Sequence, residues 1–574
     1  MLGDFDNLFI VKRISDYRRQ IIFSIIVAFL FVLPLLFAKG AIYGDDTHFH
    51  LDRVRGLSTI FKSPINFDIF YHAGQGINIF YPWLVVYPFY LLYELFGSFA
   101  RAWYCYVFIL TFLSSIICIL VGNKIGKNNV SGYVFSVIYL FCSYHYENAF
   151  VRFALGEFVA MSFLPLVLLG YYEIAFGNYK KWYILTIGMT LLIYTHILSI
   201  YLCTWLMILI TLLSIIFWNQ KGKRIASGIK ATLFTLAIGA FQYIPMLEQF
   251  RYVSLSQPVK PNLADKTYLL NEIIVKSLKN VYFTNLGNVY ATTSLPGLII
   301  LLILILLICM FMFLPRISKV LTLLSVALLF SMTTLMPWNN LTFLQLSIMQ
   351  FPWRWLAFIS LFVSLAMAIM LKNISFRMVN CLLVICFCIS GFFVVKNIHF
   401  LANAPVRLPW AEYSARNNEE KVFHATAIPD YANSVGEKYQ GNLTPEDPRY
   451  QVISQQVLLN NQPIDSEIHY FGEKAVIKVK IDENQGGETY LPFYFYKGQK
   501  VEVDGKWIKS GLSPNGTTEI ELHHGTHQIV IYYTYTTLSK ISFIISLISF
   551  IAFIALISLT APVKRKHKKI DKDN

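Results

Sequence analysis

Charge is scarce in this chain. Of 574 residues only 14% are Asp, Glu, Lys or Arg, roughly half the share of an ordinary soluble domain, while 56% are hydrophobic. That shortage excludes a conventional soluble enzyme. Acids are scarcer than bases, 33 against 48, which leaves a formal net charge of +15. Cysteines at ligand spacing are missing too: Cys105, Cys118, Cys142, Cys203, Cys309, Cys381, Cys386 and Cys388 all fall inside apolar runs. The sequence therefore offers neither a disulfide framework nor a zinc site. No repeat of 20–50 residues is apparent, which argues against a solenoid or propeller.

What the chain has in abundance is long apolar runs. A stretch of about 17–25 apolar residues can span a bilayer as a helix, because a helix satisfies its own backbone hydrogen bonds where water is absent. Twelve such runs lie near 20–38, 101–121, 130–146, 157–176, 182–199, 200–218, 228–247, 296–314, 318–336, 354–371, 376–395 and 538–560. The apolar stretch Tyr183 to Trp218 is too long for one crossing, and Thr195-His196 near its middle divides it into two. Lys12, Arg13, Arg18 and Arg19 precede the first run, and no small-residue cleavage site follows it, so the first helix is expected to stay as an anchor.

The basic residues fix an orientation. With the N-terminus in the cytoplasm, alternation puts Lys124/Lys127, Lys180/Lys181, Lys221/Lys223/Arg224/Lys230, Arg316/Lys319, Lys372/Arg377 and the tail Lys564 to Lys572 on the same side. This is the positive-inside pattern. Nearly all of the basic excess then belongs to the cytoplasmic rim, and the outward segments come out close to neutral. The excess marks topology, the tail KRKHKK reads as a lipid-headgroup anchor, and no nucleic-acid partner is implied.

The expected fold class is mainly α: a polytopic helical membrane protein of about 12 spans with a β-rich, sandwich-like domain outside the membrane before the last span. Residues 1–395 form the membrane domain, with an outer loop 39–100 carrying an acidic motif. Residues 396–537 form the β-rich domain, 538–560 the last transmembrane helix and 561–574 a basic cytoplasmic tail. The β reading rests on period-two alternation at Ala475–Ile481, Val501–Ile508 and Gln528–Tyr533, with Asp504-Gly505 as a hairpin turn. Residues 83–97 read as an amphipathic surface helix, because a further span there would invert every later loop. The remaining outward segments are Tyr144 to Glu157, Glu248 to Pro296 and Pro337 to Arg354.

An ionisable residue close to the bilayer requires a reason, since desolvation penalises its charged form. Asp45 and Asp46 lie a few residues beyond the first span, with His48 and His50 following; Arg152, Glu157, His196 and Arg354 occupy the outer ends of other spans. Each has a structural alternative. His48 and His50 can simply bond the loop, His196 can be a satisfied buried histidine, Arg354 beside Trp353 can be an interfacial anchor, and Glu157 can pair with Arg152. Together they suit one chemistry: a carboxylate acts as general base on an acceptor hydroxyl while Arg or His neutralises a phosphate leaving group. That is glycosyl transfer from a lipid-phosphate sugar, a donor whose phosphate the membrane already positions.

Within this layout Gly44-Asp45-Asp46-Thr47-His48-Phe49-His50-Leu51, Gly76 through Tyr81-Pro82, Arg152-Phe153-Ala154-Leu155-Gly156-Glu157 and Gln350-Phe351-Pro352-Trp353-Arg354 resemble bacterial membrane proteins catalogued as 6-pyruvoyl-tetrahydropterin-synthase-related. The architecture over residues 20–370 is similar to the GT-C glycosyltransferase superfamily. The pterin label does not name an activity, since no Cys/His arrangement suits the soluble pterin enzyme. The resemblance implies a polyprenyl-phosphate-sugar donor and a cell-surface glycan or glycolipid acceptor. It implies Asp45 as base, Asp46 as its partner or a ligand for a divalent cation, and His196 or Arg354 at the donor phosphate. Metal dependence stays open. Two other functions compete: a lipid or polysaccharide transporter, which should show internal repeats and charged groups deep in several spans, and a non-catalytic membrane scaffold presenting the β domain. Outer segments without cysteine suit a bacterial plasma membrane.

Overall fold

In the computed structural model of the chain, the described residues are 2–38, 44, 46–256, 260–280, 283–285, 290–292, 294–403, 448–483 and 485–560; for 2–15, 48, 283–285, 290–292, 344, 398, 400–403 and 560 only the backbone course is described. The helices in chain order are α1 (Leu2–Val32), α2 (Thr47–Arg55), α3 (Ile77–Phe80), α4 (Tyr87–Phe96), α5 (Phe99–Gly126), α6 (Ser131–Leu140), α7 (Ser143–Phe150), α8 (Leu155–Ala175) and α9 (Tyr183–Ile193). They continue as α10 (Ile197–Ser214), α11 (Lys221–Tyr252), α12 (Leu270–Lys279), α13 (Gly297–Cys309), α14 (Arg316–Ser331), α15 (Leu356–Met370), α16 (Phe376–Asn403), α17 (Pro448–Ile453) and α18 (Thr537–Thr560).

Among the described residues, eight helical stretches are long and apolar enough to cross a membrane: Asp16–Phe37, Phe99–Gly126, Leu155–Ala175, Ile197–Phe217, Lys221–Tyr252, Pro352–Met370, Phe376–Asn397 and Thr537–Leu559. The other four apolar runs also carry helices, but shorter ones: α6, α9, α13 and α14 have 10, 11, 13 and 16 residues. Residues 83–97 hold α4, ten residues long, whose Phe89 stacks on Tyr106 and whose Tyr93 stacks on Phe99 of α5. Its Leu91 and Leu95 remain exposed. The structure carries a helix through 396–403, where the sequence suggested the outer domain begins, so α16 ends at Asn403.

The run from Tyr183 to Trp218 breaks at His196, whose φ of −154° and ψ of 108° are extended backbone. The Thr195 hydroxyl turns back onto the carbonyls of Leu191 and Leu192, so it competes with the next helical turn. The segment from Lys181 to His196, with α9 at its centre, nevertheless runs along α8 from Glu173 to Gly156. At one end Lys181 pairs with Glu173 (3.8 Å), and at the other His196 lies against Gly156, close enough that a Cβ there would sit 3.0 Å from His196 Cδ2. The basic end of the bundle is tied at the same level: Lys124 pairs with Glu173 (3.5 Å), and Arg224 donates to the carbonyls of Ile174 and Gly177.

Packing inside the bundle relies on close backbone approach. Gly132 at the start of α6 lies on the carbonyl of Ile119 and the Asn123 side chain of α5, with no room for a Cβ. One turn further in, the Ser115 hydroxyl bonds both Ser24 of α1 and Ser136 of α6 at 2.9 Å, a polar clip joining three helices in an otherwise apolar core.

The β-rich part is a separate sandwich of two five-stranded sheets, with β3 (Val457–Leu459), β4 (Gln462–Ile464), β7 (Gly487–Tyr494), β10 (Gly511–Leu512) and β11 (Thr517–Leu522) in one. The other contains β5 (Ser466–Tyr470), β6 (Lys474–Ile481), β8 (Gln499–Val503), β9 (Lys506–Ile508) and β12 (Gly525–Tyr533). Strand orders are β10-β11-β7-β3-β4 and β5-β6-β12-β8-β9. Two three-residue strands, β1 (Phe283–Asn285) and β2 (Tyr290–Thr292), pair antiparallel between α12 and α13. The alternation read from sequence places Ile477, Val479, Val501, Ile529 and Ile531 in the sandwich core. Asp504 and Gly505 both take positive φ, 50° and 77°, as a two-residue hairpin turn requires.

The sandwich is docked on the segment between α2 and α4 and on α11. Gln249 makes paired bonds to the backbone of Lys497 (2.9 and 3.0 Å), Glu248 meets Lys497 Nζ at 2.9 Å, and the Tyr535 hydroxyl donates to the Ile60 carbonyl (2.6 Å). The same docking holds a strained turn. Phe70, Tyr71 and His72 all have left-handed φ (49°, 57° and 60°), which costs non-glycine residues roughly 1–2 kcal/mol each. The sandwich offsets part of this: His72 stacks on Tyr470 with centroids 3.8 Å apart, Gln455 donates to the Tyr71 carbonyl (3.0 Å), and Tyr494 N–H bonds the Ala73 carbonyl (3.0 Å).

Gly132→Ala should force α6 off α5 and lower stability by about 1–3 kcal/mol. Gly228→Ala, in α11 with open space around it, should leave stability equal or raise it by up to about 1 kcal/mol. Thermal midpoints of the two variants in one detergent check the contrast.

Candidate functional site

Where α8 begins, its first turn carries Glu157, a favourable place for a carboxylate because the helix N-terminus presents unpaired N–H groups. Glu157 is buried and gathers partners from three other segments. The Tyr144 hydroxyl of α7 donates to its Oε1 (2.6 Å), Arg152 Nη1 lies 3.7 Å from its Oε2, and Arg354 Nε lies 4.0 Å from the same oxygen. Arg152 also donates to Asn148 Oδ1 (3.1 Å). Burial opposes the Arg152 cation, but the acidic groups around it, Tyr144 and Glu157 first, outweigh burial and hold its pKa above the ordinary arginine value.

Arg354 sits in the 3₁₀ turn Pro352–Trp355 that opens α15. Phe351 and Trp353 stack at 4.2 Å, and the guanidinium lies over the Phe351 ring at 5.6 Å. Its Nε and Nη1 have no hydrogen-bond partner among the described residues, although both atoms are buried. His196, at the α9–α10 break, stands within the electrostatic reach of Glu157, Arg354, Arg152 and Arg53, and its Nδ1 bonds Ser199 Oγ (2.9 Å).

The acidic motif joins this cluster through the backbone. Gly44 takes φ 146° against Arg152 and Phe153, where a Cβ would meet backbone, and Asp46 N–H donates to the Arg152 carbonyl (2.9 Å). Asp46 stands at the N-cap position of α2 and is half-buried. Asp45 lies outside the described residues, and so does the side chain of His48. His50 is buried on α2 with Nδ1 3.3 Å from Arg53 Nη1. Burial, with Arg53 and His196 close by, holds the His50 imidazole well below its ordinary pKa of 6.5.

The structure thus brings together Asp46, His50, Arg152, Glu157, His196 and Arg354 from four separate parts of the sequence. It adds residues that the sequence reading did not single out. Arg53, three residues after His50 on the same helix face, is almost fully buried; burial lowers its pKa to about 10, so it stays a cation at neutral pH. Its neighbours are neutral: Asn78 Oδ1 (3.3 Å), the Pro82 carbonyl, His50 and the face of Tyr81 (5.2 Å). Among the described residues no carboxylate pairs with Arg53. The missed signal was the i, i+3 spacing from His50 along a nine-residue helix otherwise buried through Phe49, Leu51 and Val54. Tyr144 and Glu147 were also passed over, though both belong to the buried α7; Ser294 donates to Glu147.

Arg152 and Arg354 meet Glu157, with Glu147 and Asp46 also acting on Arg152, while Arg53 stands beside His50 and within electrostatic reach of His196. Such an arrangement suits an anion with several oxygens, since buried guanidinium donors lacking partners are costly unless something fills them. Among the described residues no group of three His, Cys, Asp or Glu side chains converges as metal ligands, and Asp45 lies outside that description. No known protein family, curated protein or solved structure matches this chain.

Two predictions follow from this geometry. Glu157→Gln leaves two buried guanidinium groups without their carboxylate and should cost about 3–5 kcal/mol, while Tyr144→Phe, which removes one bond to a charged acceptor, should cost about 1.5–3 kcal/mol; chemical denaturation in detergent ranks them. Because His50 is harder to protonate folded than unfolded, its contribution to stability is complete above pH 6.5 and declines as pH falls from there towards its lowered native value. His50→Asn should flatten that decline in thermal midpoints recorded from pH 7.5 to 5.

Proposed function

We propose that the protein is a GT-C-type membrane glycosyltransferase that moves a sugar from a polyprenyl-phosphate donor to an extracytoplasmic glycan or glycolipid acceptor. The observation that carries this reading is the convergence of Arg152, Arg354 and His196 on buried Glu157, next to the acidic motif, with Arg354 Nε and Nη1 buried and making no hydrogen bond to a described residue. Arg354, with two buried nitrogens that make no hydrogen bond to a described residue, and His196 bind the donor phosphate; Arg53 adds charge from the side of α2. Asp45 takes the proton of the acceptor hydroxyl. The freed oxygen then attacks the anomeric carbon from the face opposite the phosphate, the carbon–phosphate oxygen bond breaks, and polyprenyl phosphate leaves with inversion at carbon. The guanidinium groups are worth most at that moment, because charge on the leaving phosphate is greatest as the bond breaks. Asp46 orients Asp45, or holds a divalent cation if the reaction uses one.

Twelve crossings, with both termini cytoplasmic and the sandwich outside, are part of the same proposal. Its support is that the contacts of Gly132 with Ile119 and Ser136 with Ser115 make α6 antiparallel to α5, that those of Lys181 with Glu173 and His196 with Gly156 make α9 antiparallel to α8, and that the basic pairs at Glu173 and the Glu157 cluster lie at opposite ends of α8. Charged side chains at helix ends rather than deep in several spans favour transfer over transport.

In reconstituted membranes supplied with polyprenyl-phosphate glucose, mannose and galactose, Asp45→Asn should abolish sugar transfer while its expression stays at the wild-type level. Full activity in that variant would sink the mechanism. A cysteine placed at Lys506, an exposed position on the hairpin, should react with an impermeant thiol reagent in intact cells above the wild-type background. Labelling confined to permeabilised cells would put the sandwich in the cytoplasm.

A further inference from the structure

The sheet β5-β6-β12-β8-β9 has one face in the sandwich core and one face outward, and the registers define what the outward face displays. Trp507 of β9 is opposite Glu502 of β8, which is opposite Val530 of β12, then Val476 of β6 and His469 of β5. The adjacent row holds Lys500, Tyr532 and Lys474, and ends at Phe471 in the β5–β6 hairpin, whose N–H bonds the Lys474 carbonyl. Large aromatic groups therefore stand at both edges and at the centre. Trp507 is 61% exposed and Phe471 56%. Four strand spacings of about 4.8 Å separate the outer strands by roughly 19 Å.

The polar groups on this face are arranged around those rings. Lys500 Nζ lies 5.3 Å from the Trp507 ring and Lys474 Nζ 5.7 Å from Phe471. Both acids are engaged: Glu502 accepts from the Tyr532 hydroxyl (2.8 Å), and Glu467 meets His469 (2.9 Å) and Lys478 (3.7 Å). On the two rows from Trp507 to Phe471, Lys474 and Lys500 outnumber the single acid Glu502, so that stretch carries a positive field, while further along the strands Lys478 is met by Glu467 and Asp504 lies beside Gln528. Acyl chains are a poor fit, because the aromatic groups alternate with charges whose desolvation lipid would not repay. A sugar chain fits both features. The C–H faces of its rings cover aromatic side chains, and its hydroxyl and acidic groups reach the lysines between them.

We propose that this face is a binding platform for an anionic polysaccharide, spanning the sheet from Trp507 past Tyr532 to Phe471. The platform goes beyond the transfer reaction: it holds a glycan chain whether or not the Glu157 cluster transfers sugar. Exposed Trp and Tyr in such a row are the side chains whose truncation costs most in an interface.

The test is binding alone, with the full chain in phosphatidylcholine nanodiscs and three probes: polygalacturonate, neutral dextran and polyglutamate. Polygalacturonate should bind and the other two should not, and Trp507→Ala should weaken that binding by at least about tenfold. Lys500→Gln should weaken it too and lower its dependence on salt. Trp507 is exposed, so its replacement leaves the sandwich core untouched, and an unchanged thermal midpoint verifies this. No binding of polygalacturonate, equal binding of polyglutamate or dextran, or equal affinity in Trp507→Ala would each overturn the proposal. Loss of transfer activity in Asp45→Asn would leave this result unaffected, which separates the two ideas.

Discussion

Glu157 is the point on which the arrangement depends. Removed from water at a helix N-terminus, a carboxylate must be met by donors, and here the donors come from α7, from the turn before α8 and from the turn opening α15. Each of those segments is otherwise free to end its helix at some other depth. The acid fixes their ends at one level, and the backbone bond from Asp46 to Arg152 then fixes where the first outer loop starts. Two guanidinium groups share this one carboxylate, and Arg354 Nε and Nη1, though buried, make no hydrogen bond to a described residue. That unspent donor capacity distinguishes the cluster from an ordinary structural ion pair, in which the donors are used up.

The site and the sandwich are mechanically one object. The outer loop passes from α2, which carries His50 and Arg53, through the left-handed turn at Phe70 to His72, and on to α3, which returns Asn78 to Arg53. Phe70 N–H lies 3.4 Å from an Asp52 oxygen, so the strained turn touches α2 directly. The sandwich holds the other side of the turn through Tyr470, Gln455 and Tyr494. Strain of this kind persists only where the surroundings over-determine it, and two separately packed bodies do so here.

Much of this was legible in the sequence. The apolar runs, the break at His196 and the Asp504-Gly505 hairpin each follow from a local rule: run length, a polar pair in mid-run, and the need for positive φ at both turn positions. The Glu157–Arg152 pairing was legible as a possibility, since a turn between them shortens a spacing of five. Helix lengths were not, because hydropathy reports that a segment is apolar and not where its backbone stops; residues 130–146 read as one run and fold as α6 and the start of α7, broken at Cys142. Arg53 and Tyr144 were hidden for another reason. Their importance comes from partners distant in sequence, Asn78 and Pro82 for one and Glu157 for the other, and no local pattern marks such a meeting. The left-handed turn was equally silent, as neither Phe, Tyr nor His favours that backbone.

The four short helices carry a consequence for the lipid around them. At 1.5 Å per residue, ten to sixteen residues rise only about 15–24 Å, against roughly 30 Å of hydrocarbon. Backbone other than α-helix makes up the difference: α6 passes through Phe141-Cys142 into α7, and α13 through Met310 into the turn Phe311–Phe313. Hydrophobic mismatch in the proposed bilayer is relieved by thinning the surrounding leaflet. Membrane thickness, an attribute of the host and not of the chain, thereby bears on the proposed site through α9, the short helix that ends at His196.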